Sequence, residues 1–214
     1  MHINKDKKAS FFHVMKTGGH AIQAGLGSLP DLLGRKPEKH ELWEVYMGMH
    51  GSYTELLDRE PEMFETIKDY YKFAFIRNPF SHAVSMYFHI LLPYRYKKKS
   101  HKYLNGAIAK LDDYKDFNNY LKNIYITQNR YTFDDPHFCV DEWFKFEELD
   151  KAWLYLCNKF NYIPTVLPVI NKTINENMLG LEYPSDYKTM YDQKGIDIIT
   201  ERCGNILEKF GYNF

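Results

Sequence analysis

The sequence lacks any run of apolar residues long enough to cross a membrane, and its first residues, MHINKDKKASFFHVMK, hold no apolar core of a secretory signal. A complete chain of this kind is expected to work in the cytoplasm. An excess of charge is also missing, since Lys+Arg and Asp+Glu both number 28 among 214 residues. That removes the broad basic field that gathers nucleic acid or an acidic membrane. A local anion site remains open, because it needs only a few cations. Cysteine is scarce: Cys139, Cys157 and Cys203 are an odd number without C-x-x-C spacing. They read as reduced thiols in a reducing compartment. No repeat, low-complexity tract or Gly/Ser linker divides the chain, so one domain over 1–214 is expected.

What is present is an ordinary globular composition, 44% hydrophobic and 26% charged. Aromatics reach 17%, with 18 Tyr and 15 Phe. They could line a ring-binding cleft, but a tyrosine-rich core is the plainer reading. Ser10–Met15 reads as a strand that stops at Lys16-Thr17-Gly18-Gly19, followed by a helical pattern over Ala21–Leu26. Leu42–Met47 suggests a second strand, and Glu55–Tyr70 a helix broken at Pro61. Lys72–Ile76 (KFAFI) has the continuous apolar character of a strand buried on both faces. It ends at Arg77-Asn78-Pro79, ahead of helical spacing over Phe80–Leu91. Tyr94–Tyr103 reads as a basic loop, Asp116–Ile124 as a helix and Trp143–Phe146 as a strand. Glu148–Phe160 reads as a further helix, and Lys194–Phe210 as a terminal helix capped by Gly211. Strands alternating with helices predict an α/β fold, a P-loop-like single domain with a mainly parallel central sheet flanked by helices. Ligands bind beyond the carboxyl ends of such strands, so the Lys16 and Arg77 turns are expected to share a site.

Two constellations carry chemistry. In His13-Val14-Met15-Lys16-Thr17-Gly18-Gly19-His20, two glycines let backbone N–H groups approach an anion and Lys16 adds a full charge. Lysine precedes the glycines here, the reverse of the Walker A order, which argues against an NTPase or a small-molecule kinase. Alone, this segment fits an anion-gripping loop and a plain strand-to-helix turn equally. In Lys72-Phe73-Ala74-Phe75-Ile76-Arg77-Asn78-Pro79, the arginine offers a fork suited to phosphate, and Ser85 lies about two helical turns further on. Singly, either residue fits a structural role better.

Together these segments resemble a known family. FFHVMKTGGHAI is similar to the phosphosulfate-binding loop of carbohydrate-type sulfotransferases, the sulfotransferase family 2 branch, typically F-x-H-x-P-K-T-x-G-T-S. FAFIRNPFSHAVSMY is similar to their 3′-phosphate motif. VDEWFKFEEL, LPVINKT and ILEKFGYNF follow in the family's order, so the likeness runs from about Phe11 to Phe214. The resemblance implies a transferase that uses 3′-phosphoadenosine 5′-phosphosulfate (PAPS) and releases adenosine 3′,5′-bisphosphate, with no metal. It implies that Lys16, Thr17, Gly18, Gly19, His20 and Ala21 hold the 5′-phosphosulfate, and Arg77 and Ser85 the 3′-phosphate. Lys172 is a candidate on the nucleotide or acceptor side, and equally a solvated loop lysine. Departures are Met15 for proline, His20 and Ala21 for two hydroxyl residues, and Ser81 and His82 for Asp and Arg.

Sulfuryl transfer to a hydroxyl calls for a base, and histidine suits neutral pH. His50, before Gly51 and between the two motifs, is the candidate; it matches the family's short histidine-containing stretch. Lys16 is expected to meet charge on the leaving phosphate oxygen. His13 reads as a satisfied core histidine, and His82 and His89 as surface or packing residues. Glu147 could be a substrate carboxylate, Gln128 and Arg130 could face the acceptor, and Lys97–Lys99 reads as a solvated run. The expected acceptor is a saccharide or a small molecule, with no nucleic-acid partner. A small natural product as acceptor, and a catalytically weakened nucleotide-binding relative, are the alternatives.

Overall fold

Side chains alternate between the two faces of a strand, so a strand that is apolar throughout needs cover on both. In the computed structural model, which describes residues 1–27, 43–45, 50, 53–95, 116–131, 140–168 and 183–214, Lys72–Ile76 is buried in this way. The elements in chain order are β1 (His2–Asn4), β2 (Ala9–Phe12), α1 (Gly19–Gly25), β3 (Glu44–Val45), α2 (Tyr53–Arg59), α3 (Pro61–Ile67), β4 (Tyr71–Ile76), α4 (Pro79–Arg95), α5 (Phe117–Asn123), β5 (Glu142–Lys145), α6 (Leu149–Phe160) and α7 (Gln193–Phe210). Contacts divide the chain into two compact units. One is Met1–Arg77 with Gln128–Ile170, the other Asn78–Thr127 with Asn171–Phe214.

The first unit is α/β. Its sheet has the order β3-β1-β2-β4-β5. β2, β4 and β5 run parallel, with Phe12 beside Ala74 and Ile76 beside Lys145. β1 is antiparallel to β2 and to β3. Phe11, Phe73 and Phe75 pack on one face against Ile22 of α1 and Trp153, Leu156 and Phe160 of α6. Phe12 and Ala74 face the other way, against Leu56 of α2 and Ile67 of α3. The phenylalanines of β2 and β4 are therefore the sheet's filling on both sides, and burial of each contributes about 2 kcal/mol.

Several boundaries differ from the sequence reading. β2 ends at Phe12 rather than Met15, because the backbone leaves the sheet at His13. β1 was not expected: three residues turn back through Lys5–Lys8, with Lys8 in the left-handed region at φ 47°, and the charged turn hides the strand signal. The expected Leu42–Met47 strand is Glu44–Val45, its other residues lying outside those described apart from Trp43. Pro61 does divide α2 from α3, standing at the start of α3 where a missing N–H costs nothing. Tyr94 and Arg95 belong to α4 rather than to a loop; Lys97–Lys99 lie outside the described residues.

The second unit is helical and built on tyrosine. α4 is buried from Phe80 to Phe88, and Tyr87 and Tyr120 meet with ring centroids 4.9 Å apart. The Tyr120 hydroxyl donates to the Ala83 carbonyl at 3.1 Å. Asp116 and Asp192 cap α5 and α7 by accepting from Asn119 N at 3.2 Å and Gly195 N at 2.8 Å. Gly211, at φ 62°, ends α7 in the left-handed conformation expected of its cap.

Candidate active site

The parallel pairing of β2 and β4 delivers two turns to the same edge of the first unit's sheet. After β2 the chain folds tightly on itself: Val14 N donates to Phe12 O at 3.1 Å, and the buried Thr17 hydroxyl to Val14 O at 2.8 Å. Lys16 sits at φ 59° and Gly18 at φ 79°, so the loop contains two left-handed residues. For lysine this conformation costs roughly 1–2 kcal/mol, a strain that persists only where the surroundings impose it. A Cβ on Gly18 would come within 3.0 Å of the Phe146 ring, and one on Gly19 would collide with the His13 ring. Gly19 is thus required by the ring packed on it, and Gly18 is favoured by its left-handed backbone. Gly18 then caps α1 without a side-chain hydrogen bond.

One residue past β4, Arg77 donates from Nη1 to the Lys16 carbonyl at 3.3 Å. Its guanidinium lies over the Phe146 ring, 4.5 Å from the centroid. Its main chain is held on both sides by the fully buried Gln128: Oε1 accepts from Arg77 N at 3.0 Å, and Nε2 donates to Arg77 O at 2.7 Å. Gln128 therefore clamps the arginine rather than facing an acceptor. Burial first, and then the Arg77 charge, push the Lys16 ammonium down to about 8. Both influences disfavour its charge, as expected where two cations are gathered for an anion.

Beside the loop lies a group of imidazoles. His50 is 4.4 Å from His13 between ring centroids, and His20 is 5.0 Å from His13. His50 Nδ1–H donates to the His13 carbonyl at 2.9 Å, which leaves the lone pair on Nε2. Burial carries His50 down to about 4, against the opposing effect of that hydrogen bond, so it is neutral at pH 7.

The sequence matches the family model described as the sulfotransferase family over residues 1–177. The chain belongs to the sulfotransferase family. The match takes in each of the candidate residues named from the sequence. Searches of curated proteins and of solved structures each returned no match.

Within this sulfotransferase, Lys16, Thr17, Gly18, Gly19, His20, His50 and Arg77 come together in the first unit. The Thr17 hydroxyl is turned into its own loop, and the Ala21 methyl belongs to the core under the sheet. Burial and the nearby Lys16 charge lower His20. Ser85 is buried on α4 in the second unit, and Lys172 lies outside the described residues. Glu147 is exposed, and His82 is a packing residue whose Nδ1 lies 2.8 Å from the Tyr125 hydroxyl. Sequence reasoning passed over Gln23, a buried polar residue in the apolar pattern of α1. Its only trace is one amide within Ala-Ile-Gln-Ala.

Proposed function

We propose that this sulfotransferase moves a sulfuryl group from PAPS to a hydroxyl of a carbohydrate-like acceptor, leaving adenosine 3′,5′-bisphosphate and using no metal. The observation that carries the reading is the pairing of Lys16 and Arg77 at the ends of parallel strands, beside a neutral His50. Lys16, with the loop's N–H groups, would hold the phosphosulfate, and Arg77 the 3′-phosphate. In the transfer, His50 takes the acceptor proton at Nε2 as the new O–S bond forms. Lys16 meets the charge that develops on the phosphate oxygen as the old S–O bond breaks. Negative charge bound at Lys16 favours imidazolium at His50, so the base strengthens when the donor is in place.

Calorimetric titration with adenosine 3′,5′-bisphosphate, without metal, tests the donor. Wild type should bind, and Arg77→Ala should weaken binding about tenfold or more, the scale of a lost charge-assisted contact. Absence of binding, or a requirement for Mg²⁺, would remove the PAPS assignment. The replacement of two family hydroxyls by His20 and Ala21 favours, as a second reading, a weakened nucleotide-binding relative. Such a protein binds the bisphosphate yet transfers sulfuryl to no saccharide.

A further inference from the structure

His13 is the hub of the imidazole group. Its carbonyl orients His50, its ring lies against both His50 and His20, and the same ring fills the space a Cβ on Gly19 would need. A positive charge on His13 would therefore act on the base and the anion loop together. What holds His13 is Gln23, whose amide nitrogen lies 2.8 Å from His13 Nδ1 and also contacts His2 Nε2. All three side chains are buried. An amide nitrogen has two hydrogens and no lone pair, so it can only donate. Both imidazole nitrogens that meet it must then be acceptors. That would place the His13 proton on Nε2 and the His2 proton on Nδ1, and neither ring could be imidazolium while the two bonds stand.

We propose that Gln23 is a positioning residue for the acceptor-activating base, acting by donating both amide hydrogens to His2 and His13 and so fixing His13 as the neutral Nε2–H tautomer against His50 and Gly19. The inference rests on His50 as the base. Among the described residues, the titratable groups facing His13 are His2 on β1, His20 on α1, His50 and the Met1 amino group. Lys16 lies next to His20. Each is a cation when charged, so the network has every reason to hold its hub neutral, and burial acts in the same direction.

Long-range ¹H–¹⁵N NMR of the full chain labelled at histidine reads the tautomers without any assay of activity. His13 and His2, assigned by His13→Gln and His2→Gln, should show protons on Nε2 and Nδ1 respectively near pH 7. A proton on Nδ1 of His13 would mean that the amide accepts instead, and the proposal falls. Gln23→Met keeps the shape and removes the donors. It should lower kcat about tenfold and move the acid limb of the pH–rate profile upward, with the KM for PAPS little changed. Gln23→Glu, which places an acceptor there, should move that limb further still. Limbs unmoved in both variants would overturn the proposal, whatever the loss of kcat. If instead His50→Ala keeps its turnover, the reading of the base fails, and the tautomer result separates the two failures.

Discussion

The two units bury cations and imidazoles in opposite ways. In the second, the Arg202 guanidinium donates to the Leu121 and Tyr125 carbonyls and lies 5.7 Å from the centre of the Tyr125 ring. The buried Tyr125 hydroxyl, held protonated by desolvation, lies 2.8 Å from His82 Nδ1. Every one of these contacts joins protein to protein and needs nothing else. In the first unit, Lys16 and Arg77 are gathered with like sign, and His2, His13 and His50 are all driven toward their neutral forms. That arrangement fits the anionic donor we propose. Polar burial thus takes two forms, one in which cation, ring and carbonyl meet, and one in which groups that carry the same charge are crowded together.

The sharpest way to break the comparison is to remove the base we propose. His50→Ala should lower turnover about a thousandfold, within the range for general-base catalysis. Affinity for adenosine 3′,5′-bisphosphate should stay within about twofold by calorimetry. Loss of both together would make His50 a structural histidine, no different in kind from His82.

Acid separates the units next. His2 falls to about 3 and His50 to about 4, with His13 well below 6.5, so the unfolded chain takes up protons first as pH drops. Stability held above about pH 6.5 should be lost between there and about pH 4, at about 1.4 kcal/mol per pH unit for each of the three histidines. Denaturant unfolding followed at several pH values checks this. A flat profile from pH 7 to 5 would refute the buried neutral cluster.

Much of the site was legible because strand ends are legible. KFAFI read well as a strand buried on both faces and ending at Arg77, and Lys16-Thr17-Gly18-Gly19 could be matched to it through the rule for parallel sheets. The break at Pro61 and the cap at Gly211 followed from local chemistry. The groups that hold the site in place were not legible. Gln128 and Gln23 act through amides whose partners are 51 and 10 or 21 residues away in sequence, and no local pattern distinguishes a buried glutamine from a surface one. β1 escaped for a related reason: three residues carry too little periodicity, and only pairing with β2 and β3 makes them a strand.

The smallest effects sharpen the comparison most, because they differ in sign. In the folded state Lys16 titrates near 8, against 10.5 when exposed. Below pH 8 it is charged in both states, and the folded state bears the whole cost of burying it. That cost is relieved only as pH rises from 8 toward 10.5. Lys16→Met should therefore abolish most turnover and yet stabilise the free protein at pH 7, on the order of 2 kcal/mol by denaturant unfolding. Tyr125→Phe does the opposite. It removes the hydroxyl that meets His82 inside the tyrosine core and should cost about 1 kcal/mol. If Lys16→Met destabilised the protein as Tyr125→Phe does, Lys16 would be one more closed contact rather than a cation held for the donor we propose.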